Sequence, residues 1–272
     1  MRSKTLLLMI AIALLFSPIS AIASEIIYPG IFTESPITFP SGLSVEEYLL
    51  KNEPKGDATK PLFDPVTGSI KKIQKKHDKD RILTQSGNGH VGFMSGNLTV
   101  YIGKELIDAE AIQTENGRWE KVTVKLTLNG KTILNIPVGD NSPVEPIQGL
   151  WSYRNHWVLE VAHCSNRDVK GTIYTDIMGE IIQDGESFSK RNGYQETFGF
   201  QLMSGKVFYY FKKDNQFGIS FDNHEVLLDY SEIPHYRCCE PSILNPESSK
   251  NMVSFFARRG SKWYYVEIGV FK

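Results

Sequence analysis

Short alternations of apolar and polar residues fill this chain, and helical periodicity is nearly absent. Residues 122–128 read Val-Thr-Val-Lys-Leu-Thr-Leu, turn at Asn129-Gly130, and return through Thr132-Ile133-Leu134-Asn135-Ile136. An Asn-Gly pair between alternating runs is the strongest short-range signal for a β-hairpin, because both turn residues must take positive φ. The same logic predicts a turn at Met178-Gly179 after Thr172–Ile177, and one at Asp222-Asn223 after Phe217–Phe221. A second pattern lies over the first. Four times an apolar strand enters a Gly- or Asn-bearing turn and leaves as a strand of packed aromatics, at residues 93–101, 150–159, 200–210 and 255–265. The turns fall near residues 96, 154, 205 and 260, so the spacings are 58, 51 and 55. A period near 54 that carries strands signals stacked or radial β repeats.

Each of the first three repeats holds about four strands in two hairpins. The fourth has two strands, residues 255–270, and lacks a second hairpin. A Pro-Val-Thr-Gly turn at residues 65–68 predicts a hairpin over 63–73, which is the candidate to complete it. This arrangement over residues 62–272 resembles the β-propeller architecture at the level of pattern. The resemblance implies a propeller-like ring of four or five four-stranded antiparallel blades, with strands from both termini closing the last blade. The WD dipeptide of the WD40 class is missing, and so is a kelch glycine pair. An antiparallel β-barrel or sandwich built from the same hairpins is the alternative.

The ends add compartment. Arg2 and Lys4 precede an apolar run at residues 6–16, and Ala21-Ile22-Ala23 is a small-x-small cleavage site. This reads as a secretory signal over residues 1–23, with mature start at Ser24. Secretion or a periplasmic location is the expectation, with no membrane span after signal removal. Residues 24–61 are irregular, broken by Pro29, Pro36, Pro40, Pro54 and Pro61. Ser44 with Glu47 forms a capping box ahead of Tyr48-Leu49-Leu50, which predicts one short helix, and residues 51–60 read as a linker.

Loss of the signal removes Arg2 and Lys4 and leaves 28 basic against 31 acidic residues. That balance excludes nucleic acid as an expected partner. The basic run Lys71, Lys72, Lys75, Lys76, His77, Lys79 and Arg81 is interleaved with Asp78 and Asp80. It reads as a solvated strand or loop face in preference to an anionic-ligand patch.

Candidate chemistry is sparse. Cys164, Cys238 and Cys239 in an exported chain predict a disulfide, with redox chemistry at the vicinal pair as the other outcome. A bridge from Cys164 to Cys238 would close a loop of about 74 residues and contribute roughly 4 kcal/mol. His163, His235 and Cys238 offer zinc-type ligands, but without Cys-x-x-Cys knuckles. Glu160 and Glu267 end the aromatic strands of two repeats. Two carboxylates converging on a channel are what a glycosidase needs. Tyr153, Tyr209 and Tyr264 belong to adjacent pairs or flank Trp, and neighbours in a strand point to opposite faces. They either fill the space between blades or stack on sugars or peptides. No nucleophile elbow, phosphate loop, dinucleotide fingerprint or zinc helix survives inspection. The reading is an exported, monomeric, non-catalytic binding or scaffolding protein for a protein or glycan ligand, with no cofactor. A secreted hydrolase acting on carbohydrate through Glu160 and Glu267 is the alternative.

Overall fold

The computed structural model describes residues 39, 42–57, 60–80, 89–90, 97–114, 120–141, 144–236, 242 and 245–271. The expected signal segment, Trp119, the turn near residue 96, Cys238 and Cys239 lie outside them. In chain order the elements are β1 (Ser44–Leu49), β2 (Lys55–Asp57), β3 (Lys60–Leu62), α1 (Ile70–Lys76), β4 (Gly89–His90), β5 (Asn97–Ile102), β6 (Glu105–Thr114), β7 (Lys121–Leu128) and β8 (Lys131–Asp140). They continue with β9 (Ile147–Tyr153), β10 (His156–Val169), β11 (Thr172–Gln183), β12 (Glu186–Ser187), α2 (Phe188–Asn192), β13 (Glu196–Met203) and β14 (Lys206–Lys213). The last are β15 (Gln216–Phe221), β16 (His224–Leu227), β17 (Glu247–Ser248), β18 (Met252–Arg259) and β19 (Lys262–Gly269).

Most of the anticipated turns form. Asn129 and Gly130 take φ of 49° and 79°, and Asp222 and Asn223 take 51° and 64°. Arg154-Asn155, Ser204-Gly205 and Gly260 also turn with positive φ. Three meanders of four strands result, and β17 to β19 form a fourth sheet with β1, but these units do not make four separate blades. The first, β5 to β8, and the second, β9 to β12, join in one nine-stranded sheet that also contains β4. The joint is β10, whose 14 residues outrun β9 and reach β8 at Cys164, opposite Gly139. Gly139 sits at φ 97°, and a Cβ there would stand 2.0 Å from the Cys164 carbonyl oxygen, so only glycine permits the crossing. The far strand β5 comes back against β9, and the sheet curls into a half-barrel filled by residues such as Val100, Ile107, Val124, Leu150 and Leu159.

The other two units form four-stranded sheets, β13-β14-β15-β16 and β1-β19-β18-β17. The β13–β16 sheet is buried on both faces. Tyr209 and Phe211 pack with Val158 and Ile181 of the half-barrel, while Phe208 and Tyr210 pack with Phe255 and Val266 of the last sheet. The outer face of that last sheet carries Phe256 and Tyr265 and is covered by Leu50, Phe63 and Ile73. The described residues therefore form a stack of sheets, and they do not close a ring. Adjacent aromatics in β14 and β19 follow directly: a sheet held between two others needs large apolar groups on both faces.

Three local expectations are corrected. Residues 44–49 are strand, not helix. They pair antiparallel with β19 from Ser44↔Gly269 to Leu49↔Tyr264. A single capping box over a five-residue run cannot offset the cost of nucleating a helix, and the open edge of β19 offers a ladder instead. The termini do meet in one sheet, but β1 makes the junction. Residues 63–73 are not a hairpin. The Ser69 side chain accepts from the Lys72 N–H and caps α1, which carries Lys71, Lys72, Lys75 and Lys76 of the basic run exposed, while His77 of that run is buried at its C-cap. Finally, β11 runs straight through Met178-Gly179. Its turn lies at Lys170-Gly171, and Gly179 is a point of close approach to Thr197 and Tyr236.

Candidate functional site

The polar groups that matter lie between the half-barrel and the β13–β16 sheet. β10 alternates, so Val158 and Glu160 face that sheet while Leu159 and Val161 face the half-barrel interior. Glu160 is buried. It accepts from the Gly199 N–H at 2.9 Å, from the Phe200 N–H at 2.8 Å, and from the Tyr236 hydroxyl. Burial pushes the Glu160 carboxyl up, and these three donors only partly oppose it. Burial and the neighbouring Glu160 charge push the Tyr236 hydroxyl well above its ordinary range.

A second buried pair sits beside it. Glu196, the first residue of β13, accepts from the Gly179 N–H at 2.8 Å and meets His235 Nε2 at 3.0 Å. His235 Nδ1 lies 2.6 Å from the Ile233 carbonyl, which can only accept, so this nitrogen carries a proton. Nε2 therefore faces the Glu196 carboxylate across a 3.0 Å contact. The ring stacks on Phe198 at 3.6 Å. Thr197 Oγ1 accepts from the Ile181 N–H at 2.8 Å. Glu196 and Thr197 thus satisfy the outer edge of β11 at Gly179 and Ile181, where none of the described strands continues the ladder. Their signal in the sequence is a polar Glu-Thr pair opening an apolar strand, Glu196-Thr197-Phe198-Gly199-Phe200. Spacing alone does not tell that apart from a surface strand start.

Burial pushes Glu196 up, but the His235 charge and the Gly179 N–H hold it below its ordinary value of 4.5. A carboxyl lowered on folding contributes stability above its unfolded value, and that stability is lost as pH falls through the folded value. Glu196→Gln is therefore expected to cost about 1–3 kcal/mol at neutral pH and to flatten the loss of stability in acid. Urea melts of both proteins between pH 3 and 7 test this; parallel pH profiles would refute it.

The other candidates are dispersed. His163 pairs with Glu180 at 2.7 Å and is half-buried. Cys164 is buried, with Sγ 3.8 Å from Asn166 Oδ1. Its candidate partners Cys238 and Cys239 lie outside the described residues, as does the third ligand of the His163, His235 and Cys238 set. Glu267 lies on β19, on the face that carries Tyr265, away from the core shared with the β13–β16 sheet. That core separates it from Glu160, and the two carboxylates do not converge. Tyr209 packs against Phe188 and Tyr194, and Tyr264 is buried beneath Arg259 and beside Tyr230. Neither ring is open to a ligand. Tyr153 is half-buried, with Arg154 4.9 Å above its ring.

The exposed surface offers a different feature. Past Cys164, among the described residues, β10 pairs only with β11, and the two strands run on as an arm to the Lys170-Gly171 turn. Asn166 anchors the base, through its N–H on Asp140 at 2.6 Å and its amide on the Asn141 carbonyl at 3.1 Å. The register Arg167↔Tyr174 and Val169↔Thr172 puts Val169, Tyr174, Met178 and Arg167 on one face. Val169, Tyr174 and Met178 are all exposed. No family model matches the chain, and no curated protein matches it.

Proposed function

We propose that this is an exported, non-catalytic binding protein that presents the β10–β11 arm to a protein partner from an open, propeller-like stack of sheets. The observation that carries the reading is the solvent-exposed face of Val169, Tyr174 and Met178, crossed by the Arg167–Asp176 ion pair at 3.2 Å. Tyr, Met and Arg are the residue types enriched where protein surfaces meet. An isolated two-stranded hairpin gains little stability of its own, and Val169, Tyr174 and Met178 stay exposed on this arm. Two carboxylates held at separate interfaces give the hydrolase reading no shared site. The expected export follows from residues 1–23.

The test places a photoactivatable crosslinking residue at Tyr174 and, as control, at Lys104 on the β5–β6 turn. In the producing cells, one discrete protein adduct is expected from the arm and none from the control. The combined substitution Arg167→Ala, Tyr174→Ala and Met178→Ala is expected to leave the melting midpoint within about 2 °C, because exposed substitutions cost little. It should also abolish the adduct formed from a probe at Thr172. Equal labelling from both sites, or glycan binding unaffected by the triple substitution, would move the binding surface elsewhere.

A further inference from the structure

Glu46 of β1 and Glu267 of β19 are register partners, directly opposite each other across the ladder. Two carboxylates brought face to face in this way destabilise a sheet when both are charged, and Glu267 is fully buried. His77, the C-cap residue of α1, completes the cluster. It is 9% exposed, and its ring stacks on Phe271 at 3.6 Å. Its Nε2 stands 3.2 Å from Glu46 Oε1 yet is buried and makes no hydrogen bond. One nitrogen and two carboxylate ligand atoms, one from each of the three residues, lie within 4.8 Å of one another.

We propose that Glu46, His77 and Glu267 bind one divalent transition-metal ion of the zinc class. Zinc takes imidazole nitrogen and carboxylate oxygen at about 2.1 Å, which in tetrahedral geometry separates the ligand atoms by about 3.4 Å. The His77–Glu46 separation already fits, and small side-chain rotations close the rest. The outer contacts suit the role. Glu46 Oε2 accepts from Tyr48 and from Lys76, each at 2.7 Å, which leaves Oε1 turned to the site. Such outer hydrogen bonds fix a ligand's orientation. Three protein ligands leave a fourth position for water. The partial exposure of Glu46 gives the ion an entry path. Bound there, the ion offsets the carboxylate repulsion and ties α1, β1 and β19 together, which clasps the N-terminal segment onto the last strand of the chain.

The purified protein, stripped with chelator, is titrated with zinc chloride in a calorimeter while thermal unfolding is followed in parallel. One equivalent should bind, and the melting midpoint should rise with zinc concentration. His77→Gln and Glu267→Gln should each weaken binding by more than about tenfold, the loss that outer-shell changes alone produce. Cobalt(II) provides the second measurement and needs no variant. A site of nitrogen and oxygen ligands gives weak visible bands without the intense thiolate charge-transfer band that binding at Cys164, Cys238 or Cys239 would show. Absence of saturable binding, unchanged affinity in both folded variants, or a thiolate spectrum overturns the proposal.

Discussion

Glu160→Ala is expected to destabilise the protein by about 3–5 kcal/mol, a large share of a typical domain's stability of about 5–15 kcal/mol. The substitution leaves three donors without their acceptor: the buried Phe200 N–H and the partly buried Gly199 N–H and Tyr236 hydroxyl. Each such orphan costs about 1–3 kcal/mol. Gly199 sits at φ 65° close against Tyr210, which limits how far its N–H can turn to another acceptor. Glu160→Gln should lie between native and Ala. One amide oxygen can still accept from Gly199 and Tyr236, but the amide nitrogen then meets the Phe200 N–H, donor against donor. The pH dependence has the opposite sign from that of Glu196. A carboxyl raised on folding contributes stability that is present below its unfolded value and lost as pH rises through the folded value. The native protein should therefore gain from Glu160 in mildly acidic solution relative to neutral, and Glu160→Gln should lose that gain. Denaturant melts of the three proteins at pH 5 and pH 7 decide it. A Glu160→Ala loss below about 1 kcal/mol would mean that Glu160 does not join the two sheets.

Removal of the chain through Leu49 is expected to leave an unfolded or aggregating protein, although it spares every strand of the four sequence repeats. β1 supplies a six-residue ladder to β19, and Val45 and Leu49 pack against the central core. About six hydrogen bonds at roughly 1 kcal/mol each and two apolar side chains at about 2 kcal/mol each exceed the stability of many domains. The strand also ties the sheet to the loop behind it. Arg259 grips Glu47 at 2.8 and 3.2 Å, and Tyr230 donates to the same carboxylate. Without β1, the β19 edge is long and apolar, the kind that pairs with other chains. Circular dichroism of the truncated protein, beside a deletion ending at residue 38, makes the comparison. A truncated chain that unfolds cooperatively near the native midpoint would show that β1 is an accessory strand.

Much of this architecture is legible in local chemistry. Asn129-Gly130, Asp222-Asn223 and Ser204-Gly205 announce hairpins because their backbones must reach positive φ, and a turn of that kind depends on no distant residue. The adjacent aromatics of β14 and β19 could not share one face, and sheets buried on both sides resolve that parity. The errors share a different origin. Ser44–Leu49 carries a local helix cap, but the vacant ladder of β19, more than 200 residues away, outweighs it. Gly179 looks like a turn residue, and only the packing of β13 across β11 shows why a side chain is excluded there. Tyr209 and Tyr264 look like ligand-stacking rings until their neighbours cover them.

The candidate site divides along the same line. Glu160 and Glu267 stand out in the sequence as carboxylates ending aromatic strands; β10 instead runs on past Glu160 to Val169, and both carboxylates are buried. What each one does is set by its neighbours: backbone donors of β13 for Glu160, and an opposing carboxylate with an imidazole for Glu267. By itself the sequence determined the all-β class and the hairpins at Asn129-Gly130, Arg154-Asn155, Ser204-Gly205, Asp222-Asn223 and Gly260, because turn dihedrals and strand alternation are properties of neighbouring residues. Only the tertiary structure decided that two units merge through β10, that the N-terminal strand completes the last sheet, and that the two carboxylates lie apart. Those outcomes depend on which edges and faces find partners across the chain, and burial energy is assigned only when the whole stack is assembled.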